Sequence, residues 1–155
     1  LKYLLASIQS RGKVAVVCAS TALAASNFTG GQTAHSLLKV EVLDEDDESP
    51  AQCMLHKHPR AMQLLNQAVL VGWDEFPNSD RDAVEAVYAA LNGFAGKVLV
   101  CTGDFCQIPP VVKGGTRAAI VSQSIARSPL WSRFQKRQLT RPMRAVADPE
   151  YAEFA

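Results

Sequence analysis

Two adjacent carboxylates, Asp74 and Glu75, follow an apolar run that begins at residue 68. A pair of acids at the end of a buried strand suits nucleotide hydrolysis, because one acid can hold Mg²⁺ while the other activates the attacking water. Acidic residues also end strands simply because they meet solvent there. An isolated pair leaves both interpretations open, so the neighbouring segments have to decide between them.

A second polar segment, GDFCQIPPVV at residues 103–112, follows another apolar run. Gln107 lies shortly after Asp104, where its amide could sense the terminal phosphate of a nucleotide bound at the neighbouring strand end. Pro109 and Pro110 prevent a helix from continuing and stiffen a loop that could guide or split nucleic-acid strands. A rigid turn is the simpler explanation, and composition does not choose between the two.

The elements that would position these residues are visible as apolar patterns. Strands buried on both faces of a parallel sheet are predicted by three Val-rich runs without polar alternation, at residues 14–19, 68–73 and 98–101. Helical patterns lie between them, which predicts an open α/β sheet with right-handed crossovers. In such sheets ligands bind beyond the carboxyl ends of the strands, where the polar segments lie.

The helices are predicted from their caps and apolar faces. One begins at Ser79, with a capping-box-like pair to Asp82, and ends at Asn92-Gly93. A weaker helix is predicted over residues 60–66, and a short one begins at Ser128. Trp131 and Phe134 could stack on bases, although core packing on that short helix is the simpler expectation.

Composition limits the class of protein. The 155 residues are 48% hydrophobic with a formal net charge of +1, which fits one domain and excludes neither nucleic-acid nor other partners. The four cysteines are irregularly spaced, so a disulfide framework is not expected and a reducing compartment fits.

There is no apolar run of about 18 residues, so we expect no membrane partner. We also expect an intracellular protein, which would be nuclear if the source is eukaryotic. The acidic stretch 44–48 is expected to be a solvated loop.

The two ends of the sequence resemble interrupted elements. A helical face is predicted from Leu1, Leu4, Leu5 and Ile8, with Gly12 as its end, but no capping residue precedes Leu1. Residues 148–154 look like the start of a further element. We therefore expect a fragment of a longer protein.

A specific resemblance rests on several strings in a fixed order. They are CASTALAA at 18–25, GGQTAHS at 30–36, WDEFP at 73–77, GDFCQIPPVV at 103–112, LW at 130–131 and LTRPMR at 139–144. Together they resemble the petite-integration-frequency (Pif) helicases of superfamily one, especially the copies carried by Helitron transposons. The resemblance covers nearly the whole chain.

The resemblance implies an ATP and Mg²⁺ site. Asp74 would hold Mg²⁺ through water, Glu75 would activate the attacking water, Gln107 would report the γ-phosphate, and Arg144 would be the charge-stabilising finger. Asp104 is placed with Asp74 among the cofactor-binding residues. The sequence contains no G-x-x-x-x-G-K-[ST] motif, so this chain alone is expected to bind ATP poorly and to be inactive.

The resemblance also implies contacts with DNA. Hydroxyl groups and loops would bind the strand without reading bases, and the candidates are Ser20, Thr21, Phe28, Thr33, His35, Ser36, Pro109 and Pro110. Phe28 is the candidate for base stacking. Cap or turn roles explain the hydroxyl residues equally well.

Cys53, His56 and His58 could bind a metal, but an exposed connecting segment is the better interpretation.

The implied fold is an N-terminally truncated, RecA-like P-loop NTPase sheet that lacks its first strand and its Walker A loop. A fourth strand is expected to run into Leu139. The missing strand would leave a central gap in the sheet, and marginal stability would follow from the exposed apolar surface and unpaired backbone groups.

Three functions compete. The first is a motor domain, residues 1–155, of an ATP-dependent 5′-to-3′ DNA helicase that acts on single-stranded and forked duplex DNA with a second RecA-like domain. Its roles would be repair, recombination, telomere maintenance or Helitron replication. The second is a transposon-derived remnant that binds single-stranded DNA without ATP turnover. The third is another nucleotide-driven switch, against which the string from Gln107 to Pro110 and Arg144 argue.

Overall fold

The computed structural model describes residues 1–41, 49–107 and 116–140. Its centre is a four-stranded parallel sheet in the order β2-β1-β3-β4. The strands are β1 (Val14–Ala19), β2 (Gln32–Thr33), β3 (Ala68–Asp74) and β4 (Val98–Cys101). The three predicted strands and the parallel α/β class are confirmed, and the two-residue β2 is the fourth strand. The prediction that β4 is buried on both faces is wrong, because β4 lies at the edge of the described sheet, where Val98 is 59% exposed and residues 99–101 are half-buried.

Helices connect the strands, as the alternating pattern predicted. They are α1 (Lys2–Gln9), α2 (Ala22–Ala25), α3 (Ala34–Leu38), α4 (Pro59–Gln67), α5 (Arg81–Ala90) and α6 (Arg117–Ser122). Short 3₁₀ turns occupy Leu55–Lys57, Phe76–Asn78, Asn92–Phe94, Ile125–Arg127 and Pro129–Arg133. The weaker predicted helix is confirmed as α4, and the short helix after Ser128 is a 3₁₀ turn. None of the helices in the described ranges is long and apolar enough to cross a membrane.

The sheet separates two apolar clusters. The larger cluster contains Trp73 and Phe76, and its other fully buried large side chains include Leu38, Leu55, Leu65, Val71, Val87 and Ile125. The smaller cluster lies on the opposite face under α1 and is formed by Leu5, Ala15, Val17 and Leu70. Burial on both faces explains why β1 and β3 are continuous apolar runs.

Two predictions about helix residues are wrong. The cap of α5 is Asp80 rather than Ser79, since the Asp80 carboxylate accepts hydrogen bonds from the backbone N–H groups of Asp82 (2.8 Å) and Ala83 (3.3 Å). Ser79 is buried and bonds to Ser20 instead. In α1, Leu4 is 43% exposed, so it does not share the buried face of Leu5.

The predicted strand running into Leu139 is also wrong, since residues 134–140 form no strand and Leu139 is 95% exposed. Leu139 follows four polar residues, so no apolar run is available to be buried there. The predicted central gap is not found either, because β1, β3 and β4 pair directly with one another. The predicted acidic loop at 44–48 and the element at 148–154 lie outside the described residues.

Candidate functional site

The carboxyl ends of three strands meet at one edge of the sheet. Ala19 of β1 lies opposite Asp74 of β3, and Trp73 lies opposite Cys101 of β4. The pairing continues beyond the strands, because Ser20 donates its N–H to the Asp74 carbonyl (3.0 Å) and Thr102 donates its N–H to the Trp73 carbonyl (2.9 Å). The three polar segments predicted from the sequence are therefore neighbours in space.

The Asp74 carboxylate is held by a neighbouring strand end. The hydroxyl of Thr102 donates to Asp74 Oδ1 at 2.6 Å, within the range of a charge-assisted O–H···O⁻ bond. Asp74 Oδ2 has no hydrogen-bond partner in the described part of the chain. A half-buried carboxylate fixed through one oxygen, with the other oxygen available, suits a ligand of hydrated Mg²⁺.

Glu75 leaves the strand in a left-handed backbone conformation with φ of +51°. This conformation is uncommon for residues other than glycine and costs about 1–2 kcal/mol. The 3₁₀ turn Phe76–Asn78 follows directly, and Asn78 donates its N–H to the Glu75 carbonyl at 3.0 Å. This sharp turn directs Glu75 away from the strand and into a cleft.

Glu75 and Gln107 line the same open cleft, which has a volume of about 230 Å³. The other lining residues come from the β1 tip and the 3₁₀ turn, and they are Thr21, Leu23, Ala24, Asn27 and Asn78. The structure thus brings together the acid and the amide that the sequence singled out, from segments 32 positions apart. A carboxylate facing an amide across a cleft can bind a water molecule beside a phosphate.

Asp104 organises the turn that carries Gln107. Its Oδ1 accepts the N–H of Cys106 at 2.8 Å, and its Oδ2 lies 3.5 Å from the donating Gln107 Nε2. Asp104 is exposed and supports the loop, and the prediction that it binds the cofactor stays a prediction.

Gly103 allows this loop to lie against the turn after β3. A Cβ at Gly103 would clash with the ring of Pro77, and its φ of +150° also disfavours a side chain. Phe76 donates its N–H to the Thr102 carbonyl at 2.9 Å, which joins the same two segments. The positions of Glu75 and Gln107 are therefore coupled through backbone contacts.

Ser20 is engaged inside the protein. The buried Trp73 indole donates to Ser20 Oγ at 3.2 Å, and Ser20 Oγ and Ser79 Oγ share a hydrogen bond of 2.7 Å. These bonds connect the β1 tip to β3 and to the segment before α5. A structural role is observed for Ser20, while its predicted contact with DNA stays a prediction.

Two other predicted DNA contacts are helix caps. Thr21 Oγ1 accepts the N–H of Ala24 at 3.1 Å, and Thr33 Oγ1 accepts the N–H of Ser36 at 3.2 Å. The cap alternative is thus confirmed for both threonines. His35 and Ser36 are exposed on α3, at the same edge of the sheet, where a DNA strand could reach them.

The remaining candidates are separated from the cleft or fall outside the described residues. Phe28 packs against the smaller apolar cluster, with Lys2 Nζ 5.9 Å from its ring centre. Pro109, Pro110 and Arg144 lie outside the described residues.

The other candidate groups have structural partners. Cys53 donates its thiol to the Leu38 carbonyl at 3.1 Å, and no group of three or more possible metal ligands occurs in the described ranges. Phe134 packs on Phe76 with ring centres 5.6 Å apart, as the core interpretation expected. Trp131 is half-buried and packs on Phe134, with ring centres 5.8 Å apart, and on the exposed Phe105 at 5.0 Å.

Sequence reasoning missed three polar residues of the site, which are Thr102, Asn78 and Asn27. Thr102 directly follows an apolar run, and its hydroxyl beside the Asp74 strand end was a detectable signal. Asn78 had no such signal, because its place in the cleft depends on the 3₁₀ turn.

Known proteins share this sequence and architecture. The family model described as PIF1-like helicase matches residues 1–153. The ATP-dependent DNA helicase Pif1 of Campylobacter jejuni is 32% identical over 121 residues, covering 71% of this chain and 26% of that protein. The ATP-dependent DNA helicase PIF1 of Mus musculus is 33% identical over 138 residues, covering 80% of this chain and 19% of that protein.

Solved structures give the same relationship. Two crystal structures of Bacteroides Pif1, one bound to ssDNA and one in complex with ADP-AlF3 and ssDNA, match with a TM-score of 0.71 and 26% and 25% identity. Each match covers 98% of this chain and 37% of the Bacteroides chain. The chain thus spans about a quarter or less of the curated relatives it matches. The family model matches nearly the whole chain and the fold agrees with it, so this chain belongs to the PIF1-like helicase family.

Proposed function

We propose that the protein containing this chain is an ATP-dependent 5′-to-3′ DNA helicase, and that residues 1–155 form part of its first RecA-like motor domain. The observation that carries the proposal is the meeting of Glu75 and Gln107 in one cleft, beside Asp74 held by Thr102. Family membership supports a helicase, since both curated relatives are named ATP-dependent DNA helicases.

The residues present fit the magnesium and γ-phosphate end of ATP. Bound Mg²⁺-ATP would supply the phosphoanhydride bond whose hydrolysis drives movement. Asp74 would hold the hydrated ion through its free oxygen, Glu75 would accept the proton of the attacking water, and Gln107 would donate to the γ-phosphate. Arg144 would stabilise the charge that develops on transfer. The 155 residues contain no Walker A motif, so we assign no residue here to the other phosphates.

Single-stranded DNA is the proposed track. The Bacteroides structures bound to ssDNA support this assignment. On this chain the exposed candidates are His35 and Ser36 of α3 and Thr21 of the cleft, where the strand would contact hydroxyl and backbone groups through its phosphates. Forked duplex DNA and a second RecA-like domain are further proposed partners. The sequence resemblance favours genome maintenance or Helitron replication inside the cell as the setting.

The role of Glu75 is tested with Glu75→Gln in the intact protein that contains this chain. The amide keeps the shape of the side chain but cannot act as a base, so ATP hydrolysis should fall by at least about a hundredfold while nucleotide binding is retained. The matched control is Glu41→Gln, at an exposed position away from the cleft. Near-normal hydrolysis in Glu75→Gln would contradict the proposal.

The role of Arg144 needs a separate comparison. Arg144→Ala should slow hydrolysis more than it weakens DNA binding, because the guanidinium would act on the transferring phosphate. Arg127→Ala, at an exposed arginine, is the control. Equal losses in hydrolysis and DNA binding would instead indicate a DNA-contacting or structural arginine.

A second candidate is a remnant that binds single-stranded DNA without ATP turnover. It shares with the first candidate the exposed residues His35 and Ser36, which would contact the DNA phosphates without any need for ATP turnover. Binding of single-stranded DNA by the intact protein with no measurable ATP hydrolysis would support this candidate over the first.

A further inference from the structure

Asn78 has an unusual hydrogen-bonding situation. Its side-chain oxygen, Oδ1, is buried and has no hydrogen-bond partner in the described part of the chain. A buried amide oxygen without a partner destabilises a fold, because it loses its bonds to water. No side-chain hydrogen bond of Asn78 within the described residues supports the fold, which raises the question of a role in binding.

The other end of the same amide is differently placed. The nitrogen, Nδ2, makes no hydrogen bond with the described residues and, unlike Oδ1, is not buried. Asn78 lines the cleft that contains Glu75 and Gln107. In this orientation of the amide, its two donor hydrogens are available to the cleft.

The turn geometry keeps Asn78 on the same side as Glu75. Asn78 is the last residue of the 3₁₀ turn and donates its N–H to the Glu75 carbonyl at 3.0 Å. A 3₁₀ turn has three residues per turn, so residues three apart lie one above the other. Asn78 is therefore positioned by the same turn that directs Glu75.

The carboxylates in and beside the cleft indicate which ligand group the Asn78 amide nitrogen would contact. Glu75 faces the cleft, and Asp74 and Asp104 lie at the adjoining strand ends. A terminal phosphate brought beside these carboxylates needs neutral or positive donors around its oxygens. Gln107 is one neutral donor, and Asn78 offers a second from the opposite segment.

We propose that Asn78 is a γ-phosphate-binding residue, which donates a hydrogen bond from Nδ2 to an oxygen of the terminal phosphate of ATP. The inference rests on the proposed function and adds a substrate-binding group to the same site. It makes Asn78 a residue that distinguishes ATP from ADP, because ADP lacks the phosphate it would contact.

The test compares the binding of a non-hydrolysable ATP analogue, AMP-PNP, and of ADP to the intact protein. Asn78→Leu should weaken AMP-PNP binding by about tenfold to a hundredfold, the range of one hydrogen bond to a charged group, and leave ADP affinity unchanged within about twofold. Asn78→Asp should weaken AMP-PNP binding further, since a carboxylate repels the phosphate. Fluorescence titration with labelled nucleotides measures all of these affinities.

A matched control is available in Gln123, whose amide oxygen is also buried without a partner but whose nitrogen donates to Asp82 at 3.3 Å, on the side of α5. Gln123→Leu should leave both nucleotide affinities unchanged. The thermal midpoint of Asn78→Leu should not fall, because the unpaired oxygen is removed. This readout separates a binding role from damage to the fold.

The outcomes distinguish the two proposals. Equal changes in AMP-PNP and ADP affinity, or no change in either, would overturn the role of Asn78 while leaving the helicase proposal intact. Tighter AMP-PNP binding by Asn78→Asp than by Asn78→Leu would also overturn it, since it would indicate an acceptor rather than a donor. Failure of the unchanged protein to bind either nucleotide would refute the proposed function itself, and the role of Asn78 with it.

Discussion

The hydrogen bond from Thr102 to Asp74 gives the most quantitative prediction. Thr102→Val replaces the donating hydroxyl by a methyl group of similar size and leaves Asp74 Oδ1 without its partner. The bond is 2.6 Å long and ends on a carboxylate, and bonds to charged groups contribute about 1.5–3 kcal/mol. Loss of such a supporting bond lowers metal affinity by about tenfold to a hundredfold.

The assay is ATP hydrolysis by the intact protein as a function of Mg²⁺ concentration. Thr102→Val should raise the Mg²⁺ concentration for half-maximal turnover by at least about tenfold, while turnover at saturating Mg²⁺ changes much less. Thr102→Ser keeps the hydroxyl donor and should behave like the unchanged protein. An unchanged Mg²⁺ dependence in Thr102→Val, or an equal shift in Thr102→Ser, would refute the assignment of Asp74 as the magnesium residue.

Three further predictions concern the fold that holds the site. Asp80→Ala removes the cap of α5 and should lower the free energy of unfolding by about 1 kcal/mol, whereas an unchanged unfolding midpoint in a denaturant titration would refute the cap. Gly103→Ala would clash with the ring next to it and should destabilise the protein by about 1–3 kcal/mol; a fully stable variant would show that the loop and turn are not in contact. In the native protein a thiol reagent should modify the exposed Cys106 first, because burial raises the pKa of the Cys18 and Cys101 thiols. Rapid labelling of the fully buried Cys18 would contradict the described core.

The strands and the pairing of the two site segments were predictable from sequence. β1, β3 and β4 are continuous Val-rich runs, which predicts strands of a parallel sheet buried on both faces. That burial is found for β1 and β3, whereas β4 is an edge strand of the described sheet and is partly exposed. Because parallel strands end at the same edge of a sheet, the sequence alone predicted that Glu75 and Gln107 lie near each other, and both line the cleft. The order of the motifs then predicted the family that the sequence comparison confirmed.

The details that depend on tertiary contacts could not be predicted. Ser79 and Asp80 are both capping residues by type, and only the bond from Ser79 to Ser20 decides that Asp80 caps α5. The two-residue β2 is too short for a periodic pattern. Asn78 lies in the cleft because the backbone at Glu75 is left-handed, and no pattern in the neighbouring sequence predicts that conformation.

The measurement that tests the central claim most directly is ATP hydrolysis by the intact protein with and without single-stranded DNA. The proposed motor function predicts that the intact protein hydrolyses ATP faster when single-stranded DNA is bound, and that Glu75→Gln abolishes both rates. Hydrolysis that does not respond to DNA would indicate another kind of nucleotide-driven protein on the same sheet. No hydrolysis under either condition would contradict the account of the cleft as an active ATP site.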